Sequence, residues 1–185
     1  MMKKKTEQLT IEEPRVDNAA IKAALNSYKN FKTSCNRDDY MLVVDYTLPS
    51  NEKRMHVYDL KNKNIVKSYI CAHGERSSDR DNLAMAVEFS NREGSHMSSL
   101  GAMVTDNVYR GQHGYSLRLN GLEKCNDNVR RRGIVIHGAF YCEEKYVNDN
   151  KRAGQSHGCP ALDLQLCNEV IQNYKGGCFY YAYYK

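Results

Sequence analysis

The chain of 185 residues has no tryptophan and only 4 phenylalanines, so its aromatic content is almost entirely the 14 tyrosines. Tyrosine packs like phenylalanine while keeping its hydroxyl in water, which suits strands with one wet face and, as the sharper alternative, a groove lined for sugar or peptide. Its seven cysteines contain no CxxC pair and no metal-ligand spacing, which excludes the usual zinc ribbons and dithiol redox motifs. The odd count leaves one thiol free in an oxidising compartment, and all seven reduced in a reducing one. No apolar run follows Lys3-Lys4-Lys5, so neither a signal peptide nor a membrane span is expected. The net charge of +5 is mild and local, concentrated in Lys3–Lys5 and Arg130-Arg131-Arg132. Without a dense basic stripe or a recognisable nucleic-acid fold, no nucleic-acid partner is expected. Each basic cluster reads most simply as a solvated face, though mild basicity is compatible with an anionic polymer. Internal repeats and low-complexity segments are absent.

What remains is an ordinary globular composition, 41% hydrophobic and 26% charged, of a length that buries roughly 70% of its unfolded surface in one domain. Residues 1–17 read as a flexible arm. Residues 18–185 read as a single domain, in which a helix over 18–38 packs on the outside. Ile21, Leu25, Tyr28 and Phe31 recur there at helical spacing, with Asp17 or Asn18 as the cap. Three strand patterns follow at 41–46, 55–60 and 65–70, joined by polar turns into an antiparallel meander. Residues 73–99 form a long Ser-, Arg-, Asp- and Asn-rich loop, a feature that in a compact domain is functional or mobile. It is read as one wall of a cleft. Further strands are expected at 101–105, 115–119 and 133–137. Asp163 caps a helix carrying Leu164, Cys167, Val170, Ile171 and Tyr174, which Gly176-Gly177 terminates. A short helix at 143–148 and a final strand at 178–183 complete a mostly β domain with a few helices, an α+β class.

The chemistry concentrates in Ser156-His157-Gly158-Cys159-Pro160-Ala161-Leu162, read with Ile134-Val135-Ile136-His137-Gly138 upstream. A cysteine directly after a glycine in a polar loop is a poor place to hide a thiol. A histidine ending a β-branched run is held rigidly. Together they supply what cysteine acyl transfer needs: a thiolate on a turn whose backbone N–H groups face a developing oxyanion, and an imidazole within reach of the sulfur. Cys159 is therefore the candidate nucleophile and His137 the candidate base, with the imidazole expected to depress the thiol pKa. A zinc site on His137, His157 and Cys159 matches no known spacing and would occupy the thiol, so no metal and no cofactor are expected.

These motifs occur in order with Ser98-Ser99-Leu100-Gly101, Gly114-Tyr115-Ser116-Leu117-Arg118-Leu119-Asn120-Gly121-Leu122-Glu123-Lys124 and Asn126-Asp127-Asn128. From about Tyr40 onward the chain resembles the YkuD-type L,D-transpeptidase catalytic domain, in its murein L,D-transpeptidase-like branch. It departs from the better-studied members at Pro160-Ala161 and in a longer His-to-Cys interval. The resemblance implies a β-sandwich or barrel with an N-terminal helix. It also implies thioester-forming acyl transfer on peptidoglycan stem peptides with 3-3 cross-linking, in the periplasm or cell envelope, by a chain whose export segment has been removed or which is delivered by another route. Carbapenem-type β-lactams are the implied inhibitors. A hydrolytic carboxypeptidase or amidase using the same Cys-His site is the alternative, and a silent wall-binding module the third reading.

In the family a backbone carbonyl beside the histidine orients its ring, and Gly138 is the matching position. Gly158 and Cys159 are expected to supply the oxyanion N–H groups. Ser156 holds the loop or serves simple turn chemistry, and His157 shapes the loop. Arg118, Tyr115 and His113 are candidates to line the substrate cleft and hold a carboxylate, although Arg118 reads equally as a surface arginine. Tyr141 is a further cleft candidate. His73 and His96 receive no role.

Overall fold

The computed structural model describes residues 18–185; the arm expected over 1–17 lies outside them. In chain order the strands are β1 (Tyr40–Asp45), β2 (Lys53–Asp59), β3 (Asn64–Ile70), β4 (His73–Gly74), β5 (Gly101–Gly111), β6 (Gly114–Gly121), β7 (Val135–Gly138), β8 (Gln155–Ser156), β9 (Ala161–Leu162) and β10 (Phe179–Tyr183). The helices are α1 (Ala19–Phe31), α2 (Glu144–Asn150) and α3 (Leu164–Tyr174). Eight strands form one sheet in the order β3-β2-β1-β10-β5-β6-β7-β9, and β4 pairs with β8 separately. The mostly β expectation with a few helices holds.

The sheet is buried on both faces, which is why β1 reads as a continuous apolar run rather than an alternating one. Leu42 and Val44 point into the larger core with Met55, Val57, Leu117, Leu119 and Ile136, where α3 contributes Cys167, Val170 and Ile171. Met41 and Val43 point the other way, into a smaller core that α1 covers with Ala20, Ile21, Ala24 and Tyr28. Asn18 caps α1 by accepting from the Ile21 N–H at 3.2 Å. Asp163 caps α3 by accepting from Gln165 and Leu166. The Ala72 N–H donates to the Ala161 carbonyl at 2.9 Å, which curls the sheet until the exit of β3 meets β9.

Three readings differ from the structure. The first helix ends at Phe31, well short of 38, and only a 3-10 turn at Lys32–Ser34 follows it. The β5–β6 hairpin runs well beyond 105, because a register shift between Thr105 and Val108 carries the pairing past the polar Asp106-Asn107 pair. Residues 73–99 are also held more firmly than their composition suggests. Besides β4 they contain a 3-10 turn at Glu75–Ser77 and a bridge between Ser78 and Ala86. The Ser98 N–H donates to Ser77 Oγ at 2.8 Å. No helix among the described residues is long and apolar enough to cross a membrane.

The largest fully buried side chain is that of Arg54, which is 0% exposed. Its Nε donates to the Cys71 carbonyl and its Nη1 to that of Leu48, each at 2.8 Å. Nη2 lies 2.6 Å from His73 Nδ1, and the guanidinium stacks over Tyr46. Because guanidinium only donates, Nδ1 accepts, so the proton sits on Nε2, which faces Ser78 Oγ at 2.8 Å. Burial, with Arg54 and Arg152 nearby, pushes the His73 pKa down to about 3 and keeps the ring neutral. His73 thus has a role that its place in a polar loop concealed: it joins that loop to the body of the sheet. Removing the guanidinium leaves a cavity and two orphaned carbonyls. Arg54→Ala is therefore expected to cost about 3 kcal/mol or more, read as a shift in the denaturation midpoint. A loss below about 1 kcal/mol would contradict this account.

Candidate active site

The site is built on the parallel pairing of β7 with β9, which sets His137 opposite Ala161 and Gly138 opposite Leu162. Two residues upstream on each chain, Cys159 comes beside Val135. The Val135 N–H donates to Cys159 Sγ at 3.5 Å, and the thiol faces the Gly133 carbonyl at 3.7 Å. The sequence predicted an exposed thiol. Instead the side chain turns inward and the residue is 8% exposed.

Gly158 makes that turn possible. Its φ is +114°, and a Cβ there would stand 2.5 Å from the Met97 carbonyl oxygen. Only glycine lets the long loop lie this closely over the Cys159 segment. Ser156 closes the turn from inside, donating its hydroxyl to the Cys159 carbonyl at 2.7 Å and accepting from the Gly158 N–H at 3.1 Å. This revises one expectation. The Gly158 N–H is engaged by Ser156, whereas no acceptor among the described residues takes the Cys159 N–H. The backbone donors near the sulfur are those of Cys159 and Val135.

Burial pushes the Cys159 thiol up to about 11, while the Val135 N–H and the Arg132 guanidinium pull it down. This reverses the depressed value that the sequence led us to expect. The His137 imidazole is also shifted toward its neutral form, chiefly by burial and further by His113, against an opposing pull from the Gly138 carbonyl. His137 Nδ1 lies 3.0 Å from that carbonyl oxygen. A carbonyl can only accept, so Nδ1 carries the proton and Nε2 presents its lone pair. The ring stacks on His113 at a centroid distance of 4.3 Å. No hydrogen bond joins it to Cys159 among the described residues. At rest the site therefore holds a neutral thiol and a neutral imidazole.

Arg132 is the residue that sequence reasoning missed. Read as part of a solvated basic cluster, it is instead partly buried behind the thiol. It donates to the Met97 carbonyl, Ser99 Oγ and Ser95 Oγ at 2.5, 2.6 and 3.1 Å, pinning the long loop from behind. The available signal was its place directly before Gly133 and the histidine strand. Arg130 and Arg131 do lie at the surface, in ion pairs with Asp106 and Glu93.

The other candidates divide between the two faces of β6. Ser116 pairs with His137 and Arg118 with Val135, so Arg118 shares the face of His137. Its guanidinium stacks on Tyr109 at 4.3 Å, and its Nε is buried without a hydrogen-bond partner among the described residues. It lines a small cavity of 130 Å³ with Tyr109, Arg130, Gly133, Ile134 and Val135. Tyr115 lies on the opposite face, accepting from Gln172 Nε2 at 2.8 Å. It lines a larger open groove of 530 Å³ with His113, Gly138, Leu164, Asn168 and Gln172. Tyr115 and Arg118 thus do not share one arm of a cleft, because residues three apart on a strand point to opposite faces. The large groove is walled by the β5–β6 turn and α3. Tyr141 packs its Cβ against Gly154, where a side chain would meet it at 2.5 Å. His157 points away from the thiol and is 73% exposed.

All seven cysteines are free thiols, five of them buried, Cys35 half-buried and Cys125 exposed. No protein of curated function matches the chain in sequence. Solved structures similar to it include an L,D-transpeptidase from Mycobacterium smegmatis, at 10% identity and a TM-score of 0.48, covering 79% of this chain and 59% of that one. L,D-transpeptidase 1 of Mycobacterium tuberculosis matches at 11% and 0.45, covering 80% and 62%. The L,D-transpeptidase LdtMt1, solved in complex with imipenem, matches at 13% and 0.47, covering 79% and 59%. The chain spans about three fifths of the length of these structures. A family model described as the L,D-transpeptidase catalytic domain matches residues 12–183, nearly the whole chain, which therefore belongs to that family.

Proposed function

We propose that this chain is a cysteine acyltransferase acting on peptidoglycan stem peptides in the cell envelope, with Cys159 as nucleophile and His137 as base. The observations that carry this reading are an inward thiol under the Val135 N–H and, two residues along β7, an imidazole locked by the Gly138 carbonyl so that only Nε2 can take a proton. His113 holds the other face of that ring.

The neutral resting pair dictates the order of events. Transfer of the thiol proton to His137 Nε2 accompanies attack, because burial disfavours a standing thiolate–imidazolium pair. The sulfur forms a bond to the carbonyl of the L-configured third residue of a donor stem. The tetrahedral oxyanion is met by a backbone N–H, for which the free donor on Cys159 is the first choice. Collapse breaks the amide, and the proton on His137 leaves with the terminal D-alanine. An amine from a second stem then attacks the thioester and loses its proton to His137, and the thiol is restored. The product joins two third-position residues.

The larger groove beyond Gly138 and the small cavity at Gly133–Val135 lie toward opposite ends of β7. In the transfer reading the donor and acceptor stems approach from these two sides. In this reading Arg118 holds a carboxylate on one side, while Tyr115 and His113 border the other. Hydrolysis of the same thioester is the second reading, supported by the modest size of the cavity beside the thiol.

Incubation with disaccharide-tetrapeptide and mass analysis of the products separates these readings: cross-linked dimers for transfer, trimmed monomers for hydrolysis. Cys159→Ala is expected to abolish either product with the fold intact, and His137→Gln to lower the rate by about two orders of magnitude. Unchanged material from the wild-type chain would refute the enzyme reading.

The raised thiol makes a pH prediction of definite sign. Since the group is protonated well above neutrality, its alkylation by iodoacetamide should climb steadily with pH beyond 9, toward a midpoint near 11. Arg132→Gln should move that midpoint higher still, because a neighbouring cation is removed. A plateau already reached at pH 7 would instead indicate a preformed thiolate and overturn the neutral-pair account.

Carbapenems carry a strained carbonyl that mimics the scissile amide. One covalent adduct per chain is expected by intact-mass analysis, and none in Cys159→Ala. Absence of an adduct in the wild-type chain would count against the stem-peptide substrate while leaving the thiol chemistry in place.

A further inference from the structure

His96 and His157, neither of which the acyl-transfer site uses, converge with Glu75 at the mouth of the nucleophile loop. Glu75 Oε1 lies 2.6 Å from His96 Nδ1 and 4.0 Å from His157 Nε2. The two imidazoles stack with centroids 4.1 Å apart and planes 10° from parallel. One ligand atom from each of the three residues lies within 4.8 Å of the others, a gathering of two imidazole nitrogens and a carboxylate oxygen.

From this geometry we propose that Glu75, His96 and His157 form a binding site for a divalent transition-metal ion of the zinc class, which fastens the nucleophile loop to its wall. The donor set is that of zinc and its borderline neighbours. Magnesium and calcium prefer an all-oxygen shell. Bonds of about 2.0–2.2 Å in a tetrahedron place ligand atoms roughly 3.3 Å apart, and the observed separations of 2.6 and 4.0 Å straddle that value. Ligation requires the two rings to splay out of their stack, a side-chain rotation at two solvent-facing residues.

The backbones that carry the three ligands are already fixed together. Glu75 opens the turn after β4, and β4 pairs with β8 directly before His157. A Cβ on Gly74 would stand 2.3 Å from the His96 carbonyl oxygen and 3.0 Å from Gly158 Cα, so these segments meet with no side chain between them. The Arg76 N–H also donates to the His96 carbonyl at 3.3 Å. His96 itself has a φ of +55°, an uncommon conformation for a residue with a side chain. An ion held by one ligand from each segment joins residues 75 and 96 to a loop residue two places before Cys159. With three protein ligands its remaining position is open to water or to a carboxylate. The site is distinct from the thiol: Cys159 Sγ faces Val135 and Gly133, not these residues.

The test uses the full chain, stripped with chelator, with the exposed Cys125 replaced by Ser. Titration with zinc chloride followed by calorimetry, and with cobalt(II) followed by absorption, reads binding without any substrate. It therefore stands or fails separately from the proposed activity. We expect one ion per chain and a cobalt spectrum of low coordination number without a sulfur-to-cobalt charge-transfer band. Glu75→Gln and His96→Asn should each weaken binding by about 10-fold or more, since losing a ligand costs at least as much as losing the partner that orients one. Asparagine tolerates the backbone conformation at 96, and circular dichroism checks that both variants fold. Cys159→Ala should bind as tightly as the parent. No binding at submillimolar zinc, unchanged affinity in both ligand variants, or a thiolate band abolished by Cys159→Ala would each overturn the proposal and leave Glu75–His96 as a surface ion pair with His157 stacked upon it.

Discussion

The pairing of β7 with β9 is short, yet the chemistry of the site rests on it. Parallel strands in register put His137 beside Ala161 and bring Cys159 alongside Val135. The backbone therefore decides which polar group the sulfur meets. The Val135 N–H donates to the thiol. α3 begins two residues after β9 and packs Cys167, Val170 and Ile171 into the core, anchoring the short strand from its far side. The Ser156 hydroxyl ties the approaching turn to itself. Cys159 is thus held by the sheet and a helix, with the loop serving mainly to deliver it.

Electrostatically the site is poised by opposition. Desolvation raises the thiol and lowers the imidazole, so each is kept uncharged by the same dry surroundings. Three features work the other way, the Val135 N–H and the Arg132 guanidinium at the sulfur and the Gly138 carbonyl on Nδ1. A sulfur that is largely protonated at neutral pH is slow to react with stray electrophiles. Arg132 has a second task in the same place, because its donors reach Ser95, Met97 and Ser99 on the loop that covers Gly158. One cation thereby links the electrostatics of the thiol to the position of its cover.

Much of this was readable in the sequence, because its signals are local. Asn18 and Asp163 cap the helices they precede, and the β-branched run before His137 is a strand. What could not be read required knowledge of what packs from far along the chain. Cys159 looked exposed because its neighbours are polar, and it is buried because its side chain turns into the larger core beside Val135. Arg132 looked solvated beside Arg130 and Arg131, and only the return of residues 90–99 gives it partners. Likewise Tyr115 and Arg118 belonged together by proximity in sequence, while strand parity separates them. His73 lay in a polar stretch, and its neutral buried ring is explained only by Arg54, on another strand.

The curl of the sheet has a consequence for how the chain behaves among its own copies. An open eight-stranded sheet ends in two rows of unpaired backbone groups, and such edges are templates for strand-to-strand association. Here the bond from Ala72 to Ala161 brings one end onto the other, and β9 offers only two residues in any case. The outer strand β3 carries Lys67, which is ion-paired to Glu169 of α3. A growing fibril would have to break that contact and desolvate a lysine before adding its first strand. The arrangement gives the chain an edge that resists self-association.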